Sequence, residues 1–485
     1  MQVFNSSQGL LLLVAYGATL ITLSLVFTRR RRKDHAEFLL AGRNIGPLAG
    51  AMSIAASWIW APALFISSQK AFDQGIAGFG WFLVPNIAAL LLFAPLALRI
   101  RKVLPNGFTL PQFIHQRHGR AVHVLYLIQF LGLQICSFAV QILAGSKLIE
   151  QVTGLDFHLV ALILVSITLA YSVLGGVRAS IITDVLQMGL ILGIALVTVP
   201  MVVSHAGGLQ TVIDGLGGKS GQFGNLFDPW IAYSFGIPVT VGLLAGPIGD
   251  QMHWQRAYCM RSQRDLIKAF TLGAVLFAIV PITLSLLGFV AAGLDPNSWN
   301  RPEQSQLIGP LTVFNLLPMM TLPFCIMLLS GLGSTLDSVL CAVSSLAAVD
   351  LAGIDDSNQA TGTSSLQGVR TARISMLVAA LTGLGIAFIP GLQILHLFLF
   401  YGTWRASTMI PTIFSLYAKQ LDRRAVFVAI LASLLLGAPI YAAGAVVKNP
   451  HLSVAGVLLV LLIGTITCLI GTRAQGTTNA PQADV

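Results

Sequence analysis

Long apolar runs, separated by short polar stretches, dominate the chain. Runs of about 20 residues are the length a helix needs to cross a bilayer. Thirteen can be marked: 9–28, 47–69, 78–98, 121–149, 157–175, 180–203, 230–253, 268–292, 310–348, 371–388, 391–417, 424–446 and 452–471. The ninth is too long for one straight crossing, so part of it is expected to bend or lie along the interface. The pattern predicts an all-α integral membrane protein.

Composition agrees. Of 485 residues, 55% are hydrophobic and 9% charged, with a mean hydropathy of +0.81; a soluble domain is nearer one quarter charged. The formal net charge is +10, which in a soluble protein would suggest nucleic acid. Position excludes that reading. With the N-terminus outside, 22 of the 28 Lys and Arg fall in inside loops, among them Arg29 to Lys33, Arg99 to Lys102, Arg256 to Lys268 and Lys419 to Arg424. Outside loops hold only Lys147, Lys219, Arg301 and Lys448. Such a bias sets orientation, and it puts the C-terminus inside. The first apolar run precedes its basic cluster, the reverse of a signal peptide, and reads as a retained span. Five scattered cysteines form no CxxC pair, so neither a disulfide framework nor a zinc site is expected. A Gly-rich outside loop near 204–229 is expected to cover the outer mouth, and the loop near 350–369 to be polar and flexible. The short tail is expected to carry no soluble catalytic or signalling domain.

Candidate chemistry sits inside the spans. IMLLSGLGSTLDSVLCAVSS, 326–345, places Ser334 and Thr335 side by side, flanked by Gly331, Gly333 and Asp337. Polar groups in hydrocarbon mark function, and hard cations take oxygen ligands. The second run supplies small residues at Ala55, Ala56 and Ser57 followed by Pro62, a composition that permits a broken helix with freed carbonyls or a kinked, closely packed one. Asp184 reads either as a first-turn carboxylate, paired with Arg178, or as a residue on a cation exit path. Asp250 reads as a local partner of Arg256, and Lys70 as a partner of Asp73. Arg405, deep in the eleventh run, needs a carboxylate, backbone carbonyls or an anionic substrate group; Tyr401 and Trp404 beside it either pack or line a cavity.

Five segments in order resemble the sodium/solute symporter family: FLLAGRNIGPLAGAMSIAAS, FTLPQFIHQRHG, YSVLGGVRASIITDVLQ, HWQRAYCMRSQRD and GLGSTLDS. The resemblance covers roughly residues 37–420. It implies a LeuT-type fold of two inverted five-helix repeats, with residues 1–36 as a leading helix and basic loop, 421–471 as two trailing helices and 472–485 as a cytoplasmic tail. It places a sodium ion on the carbonyls of Ala56, Ile59 and Gly331 and the hydroxyls of Ser334 and Thr335, with Asp184 on the inner exit path. Similarity to choline carriers suggests that Asp337 supports that site. On the substrate side Trp58 stands where proline carriers have an aspartate, Ser137 replaces a tyrosine, and the sugar-site aromatics are missing near Gly246. SWIWAPALFISSQKAFDQGIAGFGWF and DQMHWQRA look most like the urea-transporter branch. Ser57, Trp58, Trp60, Ser137, Gln141, Tyr401 and Arg405 are the expected substrate residues.

The expectation is thus a sodium-coupled importer of a small polar solute in the cell membrane, with sodium as coupling ion, no obligate protein partner and no chemistry performed on the cargo. A proton-coupled carrier of a small carboxylate or amino acid, and a solute-sensing module of the same fold, are the alternatives. A channel would show pore repeats or charged rings, and an enzyme a convergent acid/base or metal set; neither pattern is present.

Overall fold

The computed structural model describes residues 4–28, 35–295, 305–353, 362–392 and 394–476, with side chains at 362–365, 394–401, 403 and 473–476 outside that description. The described chain is helical, and ten of its helices are long and apolar enough to cross a membrane. In chain order, α1 is Ser6–Thr28, α2 His35–Leu40, α3 Pro47–Trp58, α4 Ala61–Val103, α5 Leu110–His118, α6 Arg120–Thr153, α7 Phe157–His205 and α8 Leu209–Asp214. There follow α9, Pro229–Ile248, with a π turn in its first half, α10 Gln251–Cys259, α11 Gln263–Leu294 and α12 Ile308–Leu316. Next come α13 Thr321–Ser345, continued as a π turn over Leu346–Leu351, then α14 Gly362–Ala387 and α15 Ile394–Tyr417. The last two are α16, Arg423–Val446, and α17, Pro450–Gly476.

The breaks between these helices have local causes. α3 stops at Trp58 because Pro62 follows. A continuous helix would drive the proline ring into the Trp58 carbonyl, and the proline has no N–H to give back. Ile59 instead takes φ −84°, ψ 72° and donates its N–H to the Ala55 and Ala56 carbonyls at 3.0 and 3.1 Å. α4 and α7 are each kinked at one glycine, Gly75 (φ 56°, ψ −153°) and Gly176 (φ 57°, ψ −148°), a backbone region that glycine alone adopts cheaply. A Cβ on Gly176 would lie 2.3 Å from the Phe38 carbonyl oxygen, so the kink is also a close backbone crossing. The ninth apolar run divides as expected: α12 ends at Leu316, Leu317 leaves the helix, and α13 begins after Pro318. The Gly-rich segment after α8 docks on the Gly75 kink, where Ile76 N–H donates to the Leu216 carbonyl at 2.9 Å and Lys219 N–H to the Phe72 carbonyl at 2.6 Å.

α13 is the central helix. In its most apolar window 94% of residues are buried, against 22% for α1, so α13 lies in the interior and α1 at the periphery. It packs on α7, α6 and α3. α11 packs along α4 and α3, closely at Gly288, whose Cβ would lie 2.1 Å from the Ser68 carbonyl oxygen; small residues are what permit such approaches between apolar helices. All five cysteines are buried and free.

Candidate functional site

The break between α3 and α4 faces α13. A Cβ on Gly331 would lie 3.3 Å from the Ile59 carbonyl oxygen and 2.9 Å from Leu64 Cδ1, so the freed carbonyl of the break points at the glycine that begins the GLGSTLDS segment. Ser334 and Thr335 are buried one turn further on. Thr335 Oγ1 donates to the Gly331 carbonyl at 3.3 Å. Ser334 Oγ adjoins Asp184 without meeting hydrogen-bond geometry, and Asp184 Oδ1 is also unpartnered among the described residues. Ala56, Ile59, Gly331, Ser334 and Thr335, far apart in sequence, thus lie on two facing elements.

Below this seam is a sealed charge network. Arg256, on the fully buried α10, extends Nη2 to Ser338 Oγ at 2.7 Å, Ser180 Oγ at 2.9 Å and Asp184 Oδ2 at 3.4 Å, while Ser53 Oγ donates to the same Oδ2 at 2.6 Å. Asp337 accepts hydroxyls from Tyr171 and Ser180 (2.8 Å each), Thr183 (3.1 Å) and Ser338 (3.2 Å). Tyr16 reaches in from α1, donating to the Leu329 carbonyl at 3.2 Å and accepting from Gln187 at 2.8 Å.

A second buried pair lies on the other side of the break. Arg405 Nη2 donates to Asp250 Oδ2 at 3.3 Å, and its guanidinium sits 5.4 and 6.0 Å from the ring centroids of Trp60 and Trp58, within cation–π range. Asp250 caps α10 through the Met252 N–H at 3.0 Å and accepts from Gln134 Nε2 at 2.8 Å. Gln141 Oε1 caps the start of α4 by accepting from Ala61 N–H at 2.9 Å, one of the donors a helix start leaves over. Trp58 stands edge-on to His253, ring centroids 5.1 Å apart. Ser57 faces elsewhere: its hydroxyl bonds the Ser53 carbonyl at 2.6 Å and Ser338 Oγ at 3.0 Å. The side chain of Tyr401 lies outside the described residues.

Three expected pairings resolve differently. Asp250 pairs with Arg405, not Arg256, because Arg256 turns toward α7 and Asp184. Arg178 therefore does not meet Asp184; it forms a short ion pair with Glu37 on α2 instead. Asp73 is held by Lys219 at 2.8 Å, because the glycine-rich segment docks beside it, and Lys70 lies 4.1 Å from the Phe235 ring centroid. Gln134, Asp250 and His253 were not expected here. Gln134, Ser137 and Gln141 form a polar stripe at helical spacing on an apolar helix, and that stripe was the available signal.

Broken helices opposed by a buried, hydroxyl-bearing helix recur in membrane transporters. The profile of the sodium:solute symporter family matches residues 38–433, and the chain belongs to that family. It is a multi-pass membrane protein. It is 26% identical over 316 residues to the probable urea active transporter 1 of Schizosaccharomyces pombe, covering 62% of this chain and 47% of that one. It is 28% identical over 441 residues to the sodium/proline symporter of Staphylococcus aureus, covering 87% and 83%. The chain spans about half the length of the urea transporters it matches. Among solved structures, a substrate-bound outward-open Na+-coupled sialic acid symporter superposes with a TM-score of 0.76 at 17% identity, covering 98% of this chain and 99% of that one, which shows the LeuT-type fold. Family and structural relatives alike are transporters, not enzymes.

Proposed function

We propose that the protein is a sodium-coupled symporter that carries a small polar organic solute, urea-like in character, across the cell membrane by alternating access. One observation carries the reading: the carbonyl freed at Ile59 faces Gly331, with the buried hydroxyls of Ser334 and Thr335 a turn away. Sodium is cargo here. The carbonyls of Ala56, Ile59 and Gly331 and the hydroxyls of Ser334 and Thr335 supply its oxygens, Asp337 adds negative charge nearby, and Asp184 stands on the inner exit. Binding ties the broken α3–α4 segment to α13, which selects one arrangement of the bundle. One charge crossing about 100 mV contributes roughly 2.3 kcal/mol.

In this reading the kinks at Gly75 and Gly176 each turn the chain, giving thirteen crossings with the N-terminus outside and the C-terminus inside. Residues 37–420 form the ten-helix core, 1–36 lead into it, 421–471 trail it and 472–485 end it. The urea transporters and the sodium/proline symporter among its relatives support the solute class and the ion.

Proteoliposomes preloaded to give a sodium gradient, a proton gradient or neither decide the coupling. Uptake of radiolabelled urea is expected only with the sodium gradient. Uptake driven by protons in the absence of sodium would replace sodium as the coupling ion, and uptake indifferent to both would remove coupling altogether.

A further inference from the structure

Asp250 and Arg405 are the two charged groups beside the helix break on its α6–α9 side, and each is the other's partner. Arg405 is 3% and Asp250 1% exposed. The guanidinium is further held between the faces of Trp58 and Trp60, and the carboxylate by Gln134 and the Met252 amide. The two opposite charges therefore offset one another. Around it stand neutral polar atoms, buried and without a partner among the described residues: the donors Trp58 Nε1 and Gln141 Nε2, the hydroxyl of Ser137, and the acceptor Gln134 Oε1. A buried polar atom left unpaired costs free energy, so this set is complementary to a ligand that brings both a carbonyl and N–H groups and no charge. An ionic solute would have to unseat a desolvated ion pair or remain uncompensated beside it.

We infer that the solute is uncharged, a carboxamide or urea, and that the Asp250–Arg405 pair is the specificity-determining device that rejects ions of the same shape. The carbonyl of the solute accepts from Trp58 and Gln141, and its N–H groups donate to Gln134 and Ser137. Asp250 and Arg405 act as positioning residues whose mutual neutralisation sets the charge that the site tolerates. This inference rests on the symport reading above.

Two planar pairs separate charge from shape: acetamide against acetate, and urea against guanidinium. Sodium-dependent uptake into proteoliposomes is expected for urea or acetamide, with neither acetate nor guanidinium transported or competing at tenfold higher concentration. Asp250→Asn leaves Arg405 in excess and is expected to shift the acetate-to-acetamide preference toward acetate by about tenfold or more; Arg405→Gln is expected to shift the guanidinium-to-urea preference likewise. If a single variant does not fold, Asp250→Asn with Arg405→Gln restores neutrality and is expected to fold and keep the wild-type preference for the uncharged member of each pair. A purely structural pair would lower all four uptakes together without moving the ratios. Sodium-dependent uptake of acetate or guanidinium by the wild type would overturn the inference and leave symport standing. Uptake of urea and acetamide without sodium would do the reverse. Transport of none of the four overturns the inference.

Discussion

Gly331→Ala probes the contact on which the ion site depends. The added methyl would meet the Ile59 carbonyl oxygen and Ile59 Cγ2 at 3.3 Å and Leu64 Cδ1 at 2.9 Å. The leucine methyl is the end of a flexible side chain and can swing aside. The carbonyl belongs to the backbone of the break, and it can retreat only by moving the segment that also carries the Ala56 carbonyl. Overpacking of this kind costs about 1–3 kcal/mol. If about 1.4 kcal/mol of that strain falls on the ion-bound form, sodium affinity drops about tenfold. Gly145→Ala is the comparator: its methyl would meet Leu164 Cδ1 at 3.2 Å and Leu332 Cδ1 at 3.3 Å, both free to adjust. The assay is the sodium concentration that half-saturates solute uptake. The expected result is a rise of about tenfold for Gly331→Ala and less than about twofold for Gly145→Ala. An unchanged half-saturation in Gly331→Ala, or an equal rise in both, would refute the claim that Gly331 abuts the ion's ligands.

The charge network supports two further predictions. Arg256→Gln leaves Asp184 buried without its cation and should destabilise the protein by about 3–5 kcal/mol, seen as a lower melting temperature in detergent; adding Asp184→Asn should recover most of the loss, because the charge that needed a partner is gone. Burial holds His118, in α5 between spans, down at about 4, helped by the neighbouring positive charge of Arg117, and its Nε2 lies 2.9 Å from Ser415 Oγ. The unfolded chain takes up this proton near pH 6.5, so the stability due to a neutral His118 is complete above that pH and is lost as the pH falls toward 4. Melting temperatures measured across that window should slope less in His118→Gln than in the wild type.

The helices and their breaks were legible because their causes are local. Pro62 after a small-residue run allowed a broken or a kinked helix, two adjacent glycines before Arg178 separate two apolar runs, and the overlong ninth run implied a bend without fixing its place. The pairing of the break with the Ser334–Thr335 turn came from resemblance, since nothing in the spacing of residues 56 and 334 brings them together. The ion pairs were least legible. Asp250 has Arg256 within two turns and Arg405 155 residues away, and sequence separation favours the wrong partner. Which arginine reaches it is decided by the rotation of α10 about its axis, and that is set by packing against α2, α3, α4 and α13. The polar stripe on α6 lay in plain view, but its role appears only when Asp250 and Ala61 supply its partners.

Equilibrium binding of radioactive sodium to the purified protein tests the central claim most directly, because it needs neither a known solute nor a gradient. The wild type should bind sodium saturably, and Ser334→Ala with Thr335→Ala should abolish that binding while the protein still folds. Saturable binding of unchanged affinity in the double variant would contradict the account.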